Sequence, residues 1–167
     1  MATTLPAPPA EVWPWLMQMG ADKAGFYSFD RLDNGGRASA DRLHPEWQGL
    51  HEGDRIVSVP DGSRWFDVAL MRPQRDLVLR ATLSVPDGRN LDPARPLPRA
   101  FSDSTWGLHL RPAAHGGTRL IVTGTARGRP PWLIRLGDRL LWEPAHAAMQ
   151  LRQFAGLRRR LGHARPR

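Results

Sequence analysis

The sequence predicts an α+β fold: a curved antiparallel sheet closed around a long C-terminal helix, with two short helices near the N-terminus. Three observations lead there. From Arg129 to Leu161 apolar residues recur at steps of three and four, among them Ile134, Leu136, Leu140, Ala148, Leu151, Phe154, Leu157 and Leu161, one stripe along a helix. Between Asp54 and Arg127 apolar residues alternate with polar ones instead, the period of half-buried strands. Turn signals at Pro60-Asp61-Gly62, Pro73-Gln74 and His115-Gly116-Gly117 cut that region into hairpins. A sheet with one apolar face needs a cover, and the C-terminal stripe is long enough to supply it.

In chain order, Thr3–Leu5 reads as a short strand. Ala7-Pro8-Pro9-Ala10-Glu11 opens a helix, with proline tolerated in the first turn and Glu11 suited to the positive helix end. Val12, Leu16 and Met19 share one face, Pro14 should kink or delay the helix, and Gly20 can end it. Ser28 can cap a second, short helix with Phe29 and Leu32 as its apolar side, closed by Asn34-Gly35-Gly36. Residues 37–53 show no period and read as an ordered loop with a turn at Pro45–Gln48, anchored by Leu43, Trp47 and Leu50. Strands follow at Asp54–Val59, Arg64–Arg72, Leu77–Leu83, Ser104–Arg111 and Thr118–Arg127, with a long proline-rich loop over 86–100. Pro144 should divide the C-terminal stretch into two segments, roughly Pro131–Trp142 and Pro144–Leu161, since a proline fits a first turn and breaks a helix interior.

The length of 167 residues suits one domain, expected over 1–162 with a basic tail at 163–167. With no cysteine there are no disulfides, thiol nucleophiles or thiolate metal sites, which fits a reducing cytosol. The first residues lack a basic start before an apolar run, so no signal peptide is expected, and no stretch is apolar enough to span a membrane. Together these place the chain in the cytoplasm. The net charge of +8 is local: residues 127–167 hold ten arginines against Asp138 and Glu143, while the rest balances. A cationic helix face can attract nucleic acid or an acidic partner, or simply be solvated; no aromatic residue is interleaved with Arg158–Arg160 as base stacking requires.

The stretches APPAEVWPWLMQMGADKAGFYSFDRLDN, SADRLHPEWQGLHEGDR and EPAHAAMQLRQFAGLRRRL resemble bacterial members of the SRPBCC superfamily, which holds the START-related, birch-pollen-allergen and polyketide cyclase/dehydrase types. The resemblance runs from Leu5 to Leu161 and rests on the tryptophans, the Tyr27-Ser28 pair and the Pro45-Glu46-Trp47-Gln48 turn. It implies the helix-grip fold, in which about seven antiparallel strands wrap the C-terminal helix and enclose a cavity. Members bind lipids, sterols, hormones or polyketides, and some are enzymes. It brings no catalytic motif that maps onto this chain.

The inward strand positions are uncharged. Phe66, Val68, Leu70, Leu79, Trp106, Leu108, Val122 and Gly124 would line a filled core or an apolar ligand pocket equally well. For a pocket, Tyr27, Trp47, Phe66, Val68, Leu79, Trp106, Leu108, Val122 and Met149 are the expected wall. Tyr27, Asp30, His44 and His146, with Asp41 and Glu46 near by in sequence, are the groups able to move protons. Their structural roles are as plain: capping, ion pairing with Arg31 and Arg42, a buried ring, a core histidine. The six histidines show no HxH or HxxxH spacing, and there is no P-loop, GxGxxG or Gly-x-Ser-x-Gly motif, so neither metal nor cofactor is expected. Binding of a small, largely apolar molecule is the leading reading. A cyclase/dehydrase-type enzyme is the alternative.

Overall fold

The computed structural model describes residues 1–137, 139 and 143–163. One antiparallel sheet dominates, built from β1 (Ala2–Leu5), β2 (Arg55–Val57), β3 (Trp65–Arg72), β4 (Asp76–Ser84), β5 (Phe101–Pro112) and β6 (Thr118–Arg129). The order across it is β1-β6-β5-β4-β3-β2. Among the described residues there are six strands and not the seven of the helix-grip expectation. The hairpins read from the turn signals pair in sequence, and β1 closes the far edge on β6.

On the concave face the ladder sets Leu77 opposite Leu108, Leu79 opposite Trp106, Leu108 opposite Val122 and Leu110 opposite Leu120. Such same-face neighbours are the unit of sheet stability. One register shift changes the pattern. Val68 pairs with Leu79 but Leu70 pairs with Val78, so Ala69 is an extra residue on β3. A bulge of one residue reverses parity. Leu70, expected inward, shares the convex side with Val78, and Met71 takes its place against the core. At the far end of β6, Gly124 keeps its place opposite Trp106 but is exposed, as is Ala126.

Among the described residues the α-helices are α1 (Pro9–Met17), α2 (Asp30–Asp33), α3 (Pro131–Gly137) and α4 (Glu143–His163). Pro144 lies in the first turn of α4, as expected, while the stretch where a kink or break was expected, 138 and 140–142, lies outside the described residues. Leu140, Leu141, Trp142 and the tail residues 164–167 lie outside the described residues. Helix α1 runs through Pro14 without ending there, and buries Val12, Trp13, Trp15, Leu16 and Met17. Helix α2 turns the opposite side inward from the one expected. Phe29 and Leu32 are exposed, Asp33 is buried, and its carboxylate accepts from the Phe29 N–H at 3.2 Å. Ser28 therefore does not cap this helix. In the following loop Leu50 is buried and Trp47 packs against the core, whereas Leu43 is exposed.

The face that α4 buries is rotated from the apolar stripe. Leu151 is 60% exposed, and Ala155 is exposed too, while Gln150, Gln153, Phe154, Leu157 and Leu161 are buried. Gly156 also faces inward. A Cβ there would collide with the Tyr27 backbone carbonyl, so a glycine is what lets the helix approach that loop.

Candidate functional site

Between the concave face and the first half of α4 the packing leaves a cavity of about 350 Å³. Phe66, Ala81, Leu83, Ser104 and Trp106 form its floor from β3, β4 and β5. His146, Met149, Gln150 and Gln153 of α4 form its roof, and Phe26, Ser28, Leu32 and Asp33 its side. Ser58, Val59, Arg64 and Trp65, around the β2–β3 turn, complete the wall. Exposure marks the ends: Leu32 and Arg64 are exposed, while Ala81, Gln150 and Gln153 are buried. The wall is mostly aliphatic and aromatic, with a few polar groups among them, the composition of small-molecule sites. Phe26, Phe66 and Trp106 pack together in this wall, Trp106 lying 6.2 Å from Phe26 and 5.9 Å from Phe66 between centroids.

Of the expected wall, Phe66, Trp106 and Met149 line this cavity. Val68, Leu79, Leu108 and Val122 sit in the filled part of the core. Trp47 is away from the cavity, stacked on the His44 ring at 4.1 Å. Tyr27 is buried under α4. Its hydroxyl donates to the Trp15 carbonyl at 2.8 Å and accepts from Gln18 Nε2 at 3.1 Å, and the Arg160 guanidinium lies 4.8 Å over its ring. Burial pushes this phenol well above its ordinary pKa, and Gln18 and Arg160 offset only part of that rise. The group is built to hold α1, its own loop and α4 together. Tyr27→Phe should cost about 1–3 kcal/mol in a denaturant melt, because the Trp15 carbonyl loses its donor inside the protein.

The four candidate proton-transfer groups do not converge. Asp30 accepts from Ser39 N at 3.0 Å, Ser39 Oγ at 2.6 Å and Asn34 Nδ2 at 3.4 Å, which ties the loop after α2. His44 Nδ1 lies 3.1 Å from the Glu46 carboxylate in the surface turn, and Asp41 is exposed. His146 alone of the four lines the cavity, with its ring edge-on to Trp106 at 5.9 Å. Burial holds its imidazole below the ordinary value, so the neutral ring is the form present near pH 7.

Asp33 is a cavity residue that the sequence did not single out. Burial, the largest influence, pushes its carboxyl up; the neighbouring Ser28 hydroxyl and the Phe29 N–H counteract part of this, and Asp30 adds to it. Ser28 Oγ nonetheless lies outside hydrogen-bonding geometry, sealed and unpaired, as is Trp106 Nε1. Among the described residues no group of three or more His, Asp or Glu side chains gathers as a metal site would, and no helix is long and apolar enough to cross a membrane.

Within the Arg158–Arg160 run, Arg158 and Arg160 show what such cations do in this chain. Arg158 donates to the Thr3 hydroxyl and, at 3.2 Å, to the Thr4 carbonyl. Arg160 donates to the carbonyls of Ala40 at 2.6 Å and Ser39 at 3.0 Å. These cations clamp α4 to β1 and to the loop after α2.

No family model matches the chain, and no curated protein matches it. Solved structures do. Protein MLL2253 from Mesorhizobium loti is 20% identical, covering 99% of this chain and 98% of its own, with a TM-score of 0.45. CalU16 from Micromonospora echinospora is 18% identical over 97% of this chain and 82% of its own, with a TM-score of 0.41. TTHA0849 from Thermus thermophilus is 19% identical over 99% of this chain and 97% of its own, with a TM-score of 0.43.

Proposed function

We propose that the protein binds a small, largely apolar molecule in the cavity between the sheet and α4, as a member of the SRPBCC superfamily. The observation that carries this is the void itself. Protein interiors fill to crystal density, and an apolar space of about 350 Å³ beside a well-packed core is unusual unless something occupies it. Its size falls at the lower end of the roughly 300–1,000 Å³ of ligand sites, which favours one compact molecule over a long chain. The residue resemblance supports the same reading.

Met149→Trp tests it. The indole should fill the space beneath the α4 roof, leave the chain folded and abolish saturable uptake of apolar probes. Native mass spectrometry of the wild type should show a bound compound that organic extraction removes. Probe uptake unchanged by Met149→Trp would sink the assignment of this cavity.

The cyclase/dehydrase-type alternative has one observation in its favour. Asp33 and His146 line the same cavity, and burial moves the carboxyl up and the imidazole down, the arrangement that readies two groups for proton transfer near neutral pH. An enzyme of this kind would lose turnover, with binding retained, in both Asp33→Asn and His146→Gln.

A further inference from the structure

Three groups form a relay at the α4 side of the cavity. Gln153 Nε2 donates to the Phe26 backbone carbonyl at 3.0 Å and lies 3.6 Å from Met19 Sδ. The ends of a glutamine amide are hard to tell apart in isolation. Here a carbonyl oxygen can only accept, so the end of Gln153 that touches it must be its NH2. The Oε1 of Gln153 is thereby turned to Gln150, and it too can only accept. Gln150 must meet it with its own NH2, at 2.6 Å. One loop carbonyl fixes the polarity of both amides.

Gln150 Oε1 is what remains. The residue is 2% exposed and lines the cavity. Its oxygen has no partner among the described residues, yet it is absent from the sealed unpaired atoms, which are Ser28 Oγ, Asn34 Oδ1 and Trp106 Nε1. The little surface that this side chain keeps therefore opens on the cavity. An acceptor with no protein donor, facing an apolar space, is a place where a ligand donor can make a hydrogen bond inside the protein.

We infer that the molecule taken up here carries a neutral hydrogen-bond donor, O–H or N–H, on an apolar ring body, and that Gln150 Oε1 accepts from it. This deepens the binding reading above and rests on it. A carboxylate gains nothing at this end of the cavity, since its charge would face the Gln150 oxygen, and the cation of the lining, Arg64, lies at the exposed end. A ring body suits the aromatic floor of Phe26, Phe66 and Trp106.

Two probe pairs separate donor from shape: 2-naphthol against 2-methoxynaphthalene for O–H, and indole against 1-methylindole for N–H. Titration calorimetry on the wild type should show the donor member of at least one pair binding about tenfold tighter than its methylated twin, the worth of one well-made hydrogen bond. Gln150→Met, similar in length and without the acceptor, should bring that ratio to about one. The Gln150 side-chain NH2 resonance of the wild type gives a readout that needs no substitution: it should move with the preferred donor probe and stay put with its methylated twin. Equal binding within both pairs overturns the inference while leaving the cavity a binding site. So does a preference that survives in folded Gln150→Met. No binding by any of the four overturns the binding reading together with it.

Discussion

Phe154→Ala should lower the stability of the fold by about 3–5 kcal/mol, the cost of truncating a packed aromatic side chain. Phe154 is 4% exposed and belongs to the core cluster with Leu157 and Leu161. Removing its ring opens a void where none exists, in a helix that touches both β1 and α1. Met149→Ala, five residues earlier on the same helix, should cost only about 1–2 kcal/mol, below the usual ~2–5 for a filled site, because the space it borders is already empty. Urea melts of the two variants, with unchanged m-values as a check on the denatured state, give the comparison. Equal losses would mean that α4 rests on solid packing along its whole length, and no cavity would remain to be filled.

Asp103→Ala should cost about 2–3 kcal/mol, and its effect should depend on pH. Asp103 lies on the convex side of the sheet but is buried, because it holds Arg80 through two hydrogen bonds of 2.7 and 2.9 Å, Arg127 at 2.9 Å and Thr82 Oγ1 at 3.2 Å. Burial alone would raise its pKa. The Arg80 and Arg127 guanidiniums with the Thr82 hydroxyl outweigh that and hold it below the ordinary carboxylate value. A group depressed in the folded state stabilises fully above its unfolded pKa of about 4 and stops doing so as pH falls through the folded value. Wild-type stability should thus fall on acidification below about pH 4, and the variant should fall less steeply. Both arginines reach water, which keeps the cost under that of a wholly enclosed pair. Denaturation measured from pH 7 to pH 3 checks both statements, and parallel curves for the two proteins would refute the second. Asp76, bound by His109 at 2.9 Å and Arg111 at 2.9 Å on the same side, adds a second depressed carboxyl to the wild-type slope in both.

The alternation of β4 and β5 was readable because each residue there has one apolar side and one wet side, and the ladder imposes nothing more. Elsewhere a local pattern could not know its partner. The bulge at Ala69 moved Leu70 and Met71 to opposite sides, and nothing in an apolar run marks an extra residue. The period on α4 pointed to Leu151 and Ala155 because glutamines read as surface residues. Gln150 and Gln153 are buried through the Phe26 carbonyl, more than a hundred residues away in sequence. For the same reason Asp33 went unnoticed and Tyr27 was overvalued as chemistry: what decides each is burial and partners supplied by other elements. Phe66, Trp106 and Met149, named from the sequence as wall residues and found lining the cavity, are those whose position follows from strand parity or helix spacing alone.

Gly156 gives α4 an uneven grip. From Phe154 onward the helix is locked by the core leucines, by its close approach to the Tyr27 carbonyl and by the Arg160 clamp. Before that point it roofs an empty space. Opening energies along a single helix then differ, low over the turns around His146 and Met149 and near the global value beyond Phe154. On the proposed binding reading, a guest molecule would need only the weak half to part from the sheet, and its admission would be decoupled from the stability of the fold.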